Sequence, residues 1–330
     1  MDRRTALGLG AAGIAALSLR ADAEEPVWSA LQPDPKDVIP LWPAEPPGAR
    51  PPRPALVITD RSTAPSEYLD RAATGIATPT LTVFRPKKPD GSALLIAPGG
   101  GYKRVVIDKE GFEAARRFTA AGVTCFVLLY RLPGEGWADA ADVPLQDAQR
   151  AMRIIRASAS RLAIDPARLG VLGFSAGGHV AASLATRYAA QAYAPVDTLD
   201  SADAKPIFAG LMYPVITMDP QHAHMGSRHY LLGDTASAAQ EAAYSCEKLV
   251  DANTPPTWLA AAQDDKEVPL ENTLEMFAGL RAAKVATEMH IFEEGGHGFG
   301  LRKAQGLPAA YWPDLLLHWM TRRGYVRGTV

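Results

Sequence analysis

LGVLGFSAGGHVAASLATRYA, residues 169–189, is the stretch on which the fold turns. Its first four residues are apolar throughout, as expected of a strand buried on both faces. Its Ala-rich second half reads as a helix. Between them lies Gly173-Phe174-Ser175-Ala176-Gly177, a G-x-S-x-G pentapeptide. A chain passing directly from strand to helix must turn sharply here, and small residues around the serine let the two elements approach. The turn lifts the Ser175 hydroxyl above the sheet, at a helix N-terminus whose partial positive charge favours a developing anion. A purely structural Gly-Ser turn would account for the pentapeptide but for neither of its flanks.

Outward from this point, short apolar runs alternate with amphipathic stretches. Strands are expected at Leu81–Arg85, Ala93–Ala97, Thr124–Leu129, Leu169–Leu172, Ile207–Tyr213, Thr257–Ala261 and Glu288–Phe292. Helices are expected at Glu110–Ala121, Pro144–Leu162, Ala176–Ala190, Glu271–Ala283 and Tyr311–Arg322. In the first helix Phe112, Ala115 and Phe118 recur at helical spacing while Glu113, Arg116 and Arg117 face away, and Gly122 ends it. Such alternation predicts an α/β fold with a mostly parallel, doubly wound sheet flanked by helices, formed by residues 61–330 as one domain.

A serine hydroxyl needs a base, and the base needs an orienting acid. Both are available downstream at strand ends. Gly295-Gly296-His297-Gly298 follows the strand at 288–292, and a histidine among glycines lies on a loop free to approach Ser175. Gln263-Asp264-Asp265 follows the strand at 257–261. Neighbouring side chains diverge, so one aspartate can hold the imidazole; Asp265 is favoured, with Asp264 bonding its own turn as the alternative role. Oxyanion donors are expected from the backbone N–H of Ala176 and from Gly100 and Gly101 in the loop Pro98-Gly99-Gly100-Gly101-Tyr102.

Other residues carry weaker signals. His179 sits one turn past Ser175 and is expected to pack beneath it. His222, His224 and His229 lie in HAHMGSRHYLLG, where H-x-H invites a metal but no cysteine or spaced carboxylate completes a site, so no metal is expected. Tyr102, Arg131, Trp137 and Tyr213 fall at or beyond strand C-termini, where open α/β sheets bind ligands, and are candidate substrate contacts. Each could equally be ordinary packing.

The N-terminus reads as an address. Arg3-Arg4 precedes an uncharged run to Leu19 and an Ala21-Asp22-Ala23 cleavage signal, so residues 1–23 are expected to be a signal peptide, with paired arginines of the twin-arginine type. The run is too short to span a bilayer, and no stable membrane insertion is expected once it is removed. Residues 24–60 are proline-rich and are expected to run extended over the surface. The 330 residues carry 34 Lys+Arg against 36 Asp+Glu, which argues against a nucleic-acid partner. Two cysteines, Cys125 and Cys246, exclude a disulfide scaffold and are expected as free structural thiols.

With these residues assembled, the chain resembles the α/β-hydrolase superfamily, and within it the exported bacterial acetyl-xylan and feruloyl esterases, some of which carry a xylanase label. The resemblance rests on IPLWPAEPPGA (39–49), PGGGY (98–102), YRL (130–132), QDAQRAMRIIR (146–156), GFSAGGHVAASLAT (173–186), GSRHYLLG (226–233), TPPTWLAAAQDDKEVPLENT (254–273) and EGGHGFGLR (294–302). It implies a secreted or periplasmic serine esterase acting on a small-molecule or polysaccharide ester of the plant wall, with Asp265, second of the aspartate pair, as triad acid and no cofactor. Pro98 stands where related lipases carry histidine. A feruloyl, aryl or promiscuous short-chain carboxylesterase is the alternative among enzymes, and an inactive hydrolase-fold binding protein the alternative from another class. Glycoside hydrolysis fits poorly, since it usually needs two carboxylates flanking the bond.

Overall fold

The computed structural model describes residues 32–327; the expected signal peptide at 1–23 lies outside the described residues. Apolar runs form the sheet and amphipathic runs cover it. The strands are β1 (Val38–Pro40), β2 (Val57–Asp60), β3 (Arg71–Thr74), β4 (Thr80–Phe84), β5 (Ala93–Ala97), β6 (Val105–Val106), β7 (Thr124–Leu129), β8 (Leu169–Phe174), β9 (Ala209–Met212), β10 (Thr257–Ala262) and β11 (Thr287–Phe292). The helices are α1 (Glu113–Ala120), α2 (Val143–Ala157), α3 (Ala159–Leu162), α4 (Ala176–Arg187), α5 (Met225–Leu232), α6 (Ala238–Tyr244), α7 (Glu271–Ala282) and α8 (Trp312–Arg322).

Eight strands form one sheet in the order β1-β4-β7-β5-β8-β9-β10-β11. From β7 to β11 the neighbours are parallel, while β4 pairs antiparallel with both β7 and β1. Every residue of β5, β8 and β10 is buried, as the sequence runs require of central parallel strands. Alternate residues feed two cores. Leu95, Phe126, Val171 and Leu259 share one with Ala151, Leu184 and Met276 of α2, α4 and α7. Leu94, Ile96, Leu172 and Trp258 share the other with Phe118 and Trp312 of α1 and α8. Cys125 and Cys246 belong to opposite cores, are both free, and burial pushes each thiol up to about 12. A smaller antiparallel sheet, β2-β3-β6, lies beside the glycine loop.

Two expectations need correction. Glu113 does not face away from the core; its side chain is buried against Arg302. The proline-rich segment is also not confined to the surface. Although most of its described residues, 32–60, are irregular, β1 joins the edge of the main sheet, and Leu41 and Trp42 are buried. Trp42 Nε1 donates to Asp147 Oδ1 at 2.8 Å. The same carboxylate takes Arg131 Nε and Nη2 at 3.0 and 2.8 Å, and neither charged side chain is exposed. Arg131 Nη1 also donates to the Pro47 carbonyl at 2.6 Å, and its guanidinium lies 4.9 Å from the Trp137 ring.

Arg131 therefore fastens the N-terminal segment to α2 with the Trp137 ring packed on its guanidinium, and both side chains are buried outside the cavity that Ser175 lines. The desolvated Asp147 carboxylate draws the guanidinium inward, away from the strand end. Replacing Arg131 with Met should leave that carboxylate short of its ion partner and lower stability by about 3–5 kcal/mol. Urea unfolding checks this: a midpoint unchanged at constant slope would mean the pair carries no stability.

Candidate active site

At the end of β8 the chain reaches Ser175 with φ 53 and ψ −120, a conformation that non-glycine residues rarely hold. The approach of helix to strand enforces it. A Cβ on Gly177 would come within 2.1 Å of the Ala97 carbonyl oxygen, so only glycine lets α4 start this close to β5. The hydroxyl is thereby aimed at the loop following β11.

There, Ser175 Oγ lies 2.8 Å from His297 Nε2, and His297 Nδ1 lies 2.7 Å from Asp265 Oδ2. A carboxylate can only accept, so Nδ1 carries the proton and Nε2 is left to accept the serine hydroxyl. Asp265 Oδ1 takes the N–H groups of Glu267 and Val268 at 2.9 and 3.0 Å. Burial works against its charge, yet the His297 hydrogen bond and charge, with those two donors, hold the carboxyl below its usual value. Asp264 diverges as its neighbour status demands, but it does not bond its own turn. Its Oδ1 accepts the Gly296 N–H at 2.7 Å and so pins the loop that carries His297.

The loop after β5 supplies the remaining face. Gly100 holds φ +130 and a Cβ there would strike the Arg104 carbonyl oxygen at 2.2 Å. Gly100 and Gly101 line the same cavity as Ser175 and His297, about 280 Å³ in volume. Their N–H groups find no acceptor among the described residues, and Ala176 opens α4, where the first-turn N–H groups are unpaired within the helix. The loop is held at its far end by β6, with the Val106 N–H on the Gly99 carbonyl at 2.9 Å.

Sequence reasoning missed Glu110. It is buried beside this loop, takes the Gly99 N–H on Oε2 at 2.9 Å and the Tyr213 hydroxyl on Oε1 at 3.2 Å, and reaches the cavity wall. Its one sequence trace is an acidic residue eleven positions after Gly99, which helical periodicity assigns to an ordinary first turn.

The remaining candidates are placed inside the structure. Tyr102 is buried, and its hydroxyl donates to His179 Nδ1 at 2.7 Å; His179 Nε2 in turn donates to the Tyr244 carbonyl at 2.7 Å. Burial lowers His179 to about 4, so the ring is neutral and packs beneath the serine turn. Tyr213 is likewise buried; it backs the His297 ring, centroids 5.2 Å apart, and spends its hydroxyl on Glu110 and on the Gly300 N–H. Neither tyrosine lines the cavity, because each hydroxyl is needed by a buried polar group. Of the three clustered histidines, His224 does line the cavity, with Nδ1 2.8 Å from Ser227 Oγ. Burial, and then the charge of His297, lower its pKa. His222 turns to Glu275 and His229 to Asp234, so the three do not converge.

This arrangement can relay a proton from a hydroxyl through an imidazole backed by a carboxylate, next to unpaired N–H donors. The model of the BD-FAE family matches residues 81–280, which include the glycine loop, Ser175 and Asp265. The chain belongs to the BD-FAE family of α/β-hydrolases. This BD-FAE member is 32% identical over 67% of its length to the acetylxylan esterase of Xylanibacter ruminicola, and 35% identical over 62% to endo-1,4-beta-xylanase B of Butyrivibrio fibrisolvens. It spans only 43% and 32% of those two relatives. Among solved structures it is similar to the acetyl ester-xyloside bifunctional hydrolase of Caldicellulosiruptor lactoaceticus, with 29% identity and a TM-score of 0.70, covering 89% of this chain and 98% of that one.

Proposed function

We propose that the protein is a serine carboxylic-ester hydrolase that removes acetyl groups from acetylated plant-wall carbohydrate. The observation that carries this reading is the hydrogen-bonded series Ser175–His297–Asp265 beside the free N–H groups of Gly100 and Gly101. Ser175 Oγ attacks the ester carbonyl while His297 Nε2 takes its proton, and Asp265 stabilises the imidazolium. Gly100, Gly101 and Ala176 receive the oxyanion, a contribution of about 100- to 1000-fold per donor. His297 then protonates the departing sugar oxygen, and afterwards takes a proton from water as it attacks the acyl-enzyme. The acetyl group leaves as acetate and Ser175 is restored. The names of the Xylanibacter and Caldicellulosiruptor proteins support acetyl esters as the substrate class.

Export is part of the same proposal. Residues 1–23 direct the chain out of the cytoplasm, and among the described residues no helix is long and apolar enough to cross a membrane.

Acetate release from acetylated xylan and from a simple aryl acetate tests the assignment. Release from both is the expected result. Hydrolysis of the aryl acetate alone would remove acetyl-xylan as substrate, and inertness towards both would remove the esterase assignment.

A further inference from the structure

The cavity at Ser175 does not end there. A second one, about 470 Å³, adjoins it and shares Arg61, Arg104, Lys109, Glu267 and His297, but it does not reach Ser175 or the glycines. His297 thus stands at the junction of a continuous groove. The two ends of an ester are assigned by the chemistry proposed above, on which this inference rests. The carbonyl oxygen faces Gly100, Gly101 and Ala176, while the departing oxygen must face His297 Nε2, its proton donor. The alcohol portion therefore extends past His297 into the second cavity.

That second cavity is basic in a chain whose net charge is −2. Arg61, Arg104, Lys109, Arg302 and Lys303 line it, against Asp70 and Glu267. Asp70 is committed, with Arg61 at 2.9 Å and Arg302 at 3.5 Å, and Arg302 also meets Glu113 at 2.6 Å. Lys109 Nζ stays 3.9 Å from Glu110, whose oxygens already serve Gly99 and Tyr213. Arg104 and Lys303 have no carboxylate partner among the described residues. The Lys109 side chain is only 15% exposed and Arg104 is half-buried, so these cations are held at the wall rather than dispersed in solvent. A partly desolvated cation attracts an anion far more strongly than a surface one. The planar guanidinium of Arg104 also suits a carboxylate.

We propose that the alcohol portion of the substrate carries a carboxylate, as an acetylated sugar chain bearing a uronic acid does, and that Arg104 and Lys109 bind that carboxylate. The two cations select among acetyl esters by charge; they take no part in bond breaking.

The test uses the full-length protein and two acetylated xylo-oligosaccharides of equal length, one neutral and one carrying a glucuronic acid branch. The expected kcat/KM ratio is about tenfold in favour of the acidic ester at low salt, and it falls towards about twofold near 1 M salt as the charges are screened. Arg104→Gln combined with Lys109→Gln should bring the ratio to about one, whereas Arg322→Gln, an exposed change of charge at the end of α8, should leave it tenfold. A wild-type ratio near one, or a ratio that survives the double substitution, overturns the proposal. Hydrolysis of the neutral ester without preference would sink this inference and leave the esterase reading standing; no hydrolysis of either ester would sink both. If the double variant fails to fold, Arg104→Gln and Lys109→Gln made singly decide the matter: each should lower the ratio to about threefold, and a ratio left near tenfold by both overturns the proposal.

Discussion

Ser175→Ala should lower kcat on an aryl acetate by about 10⁵- to 10⁶-fold, with a residual rate above that of water alone. The size follows from the chemistry lost: without Oγ no acyl-enzyme forms, and His297 has no hydroxyl to activate. What remains is the donor face built by Gly100, Gly101 and Ala176, which can still polarise a carbonyl for direct attack by water. Because Ser175 is almost fully buried and the change removes one oxygen, the fold should persist, with circular dichroism and the unfolding midpoint as controls. A loss of less than about tenfold with the fold intact would show that hydrolysis proceeds elsewhere on the molecule, and the mechanism above would fall.

Asp265→Asn should cost about 10⁴-fold in kcat, since an amide can donate to Nδ1 and so favour the tautomer whose Nε2 bears the proton and cannot accept one. Its neighbour offers an internal comparison. Asp264→Asn retains a carbonyl oxygen for the Gly296 N–H, so the loop stays anchored and the loss should be within about tenfold. The two substitutions make the same chemical change at adjacent positions, which removes global charge as an explanation. Equal losses, or a larger loss at Asp264, would overturn the geometry of Asp265 on His297 as the functional one.

The central strands and the helices over them were legible because each is a single buried run bounded by turn residues. ALLIA, TCFVLL, LGVL and TWLAA could hardly be anything else. The strands β1, β2, β3 and β6 were not foreseen, since they hold only two to four residues, and all of β2 is exposed. Helix α6 buries none of its residues, so it has no apolar stripe to read. The expected helix from Pro144 to Leu162 is interrupted at Ser158, which separates α2 from α3. At the site, motif and spacing pointed to Ser175, His297 and Asp265, which the structure brings within hydrogen-bonding distance. Position at a strand end was a poorer guide. It says that Arg131 and Tyr213 lie near the cleft, but not whether buried partners such as Asp147 and Glu110 have already engaged their polar ends.

The bond from Trp42 to Asp147 joins residues 105 positions apart. At a synthesis rate of about 5–20 residues per second, the indole waits on the order of 5–20 s before its acceptor has even been made. During that interval Trp42 lacks the α2 carboxylate that its indole N–H serves in the finished structure. The segment is therefore made well before the helix it fastens, and its closure is one of several of long sequence separation in a sheet where β1, β4, β7, β5 and β8 adjoin out of sequence order. What looks in the finished structure like a strap over α2 is, in time, a contact that has to wait for its other half.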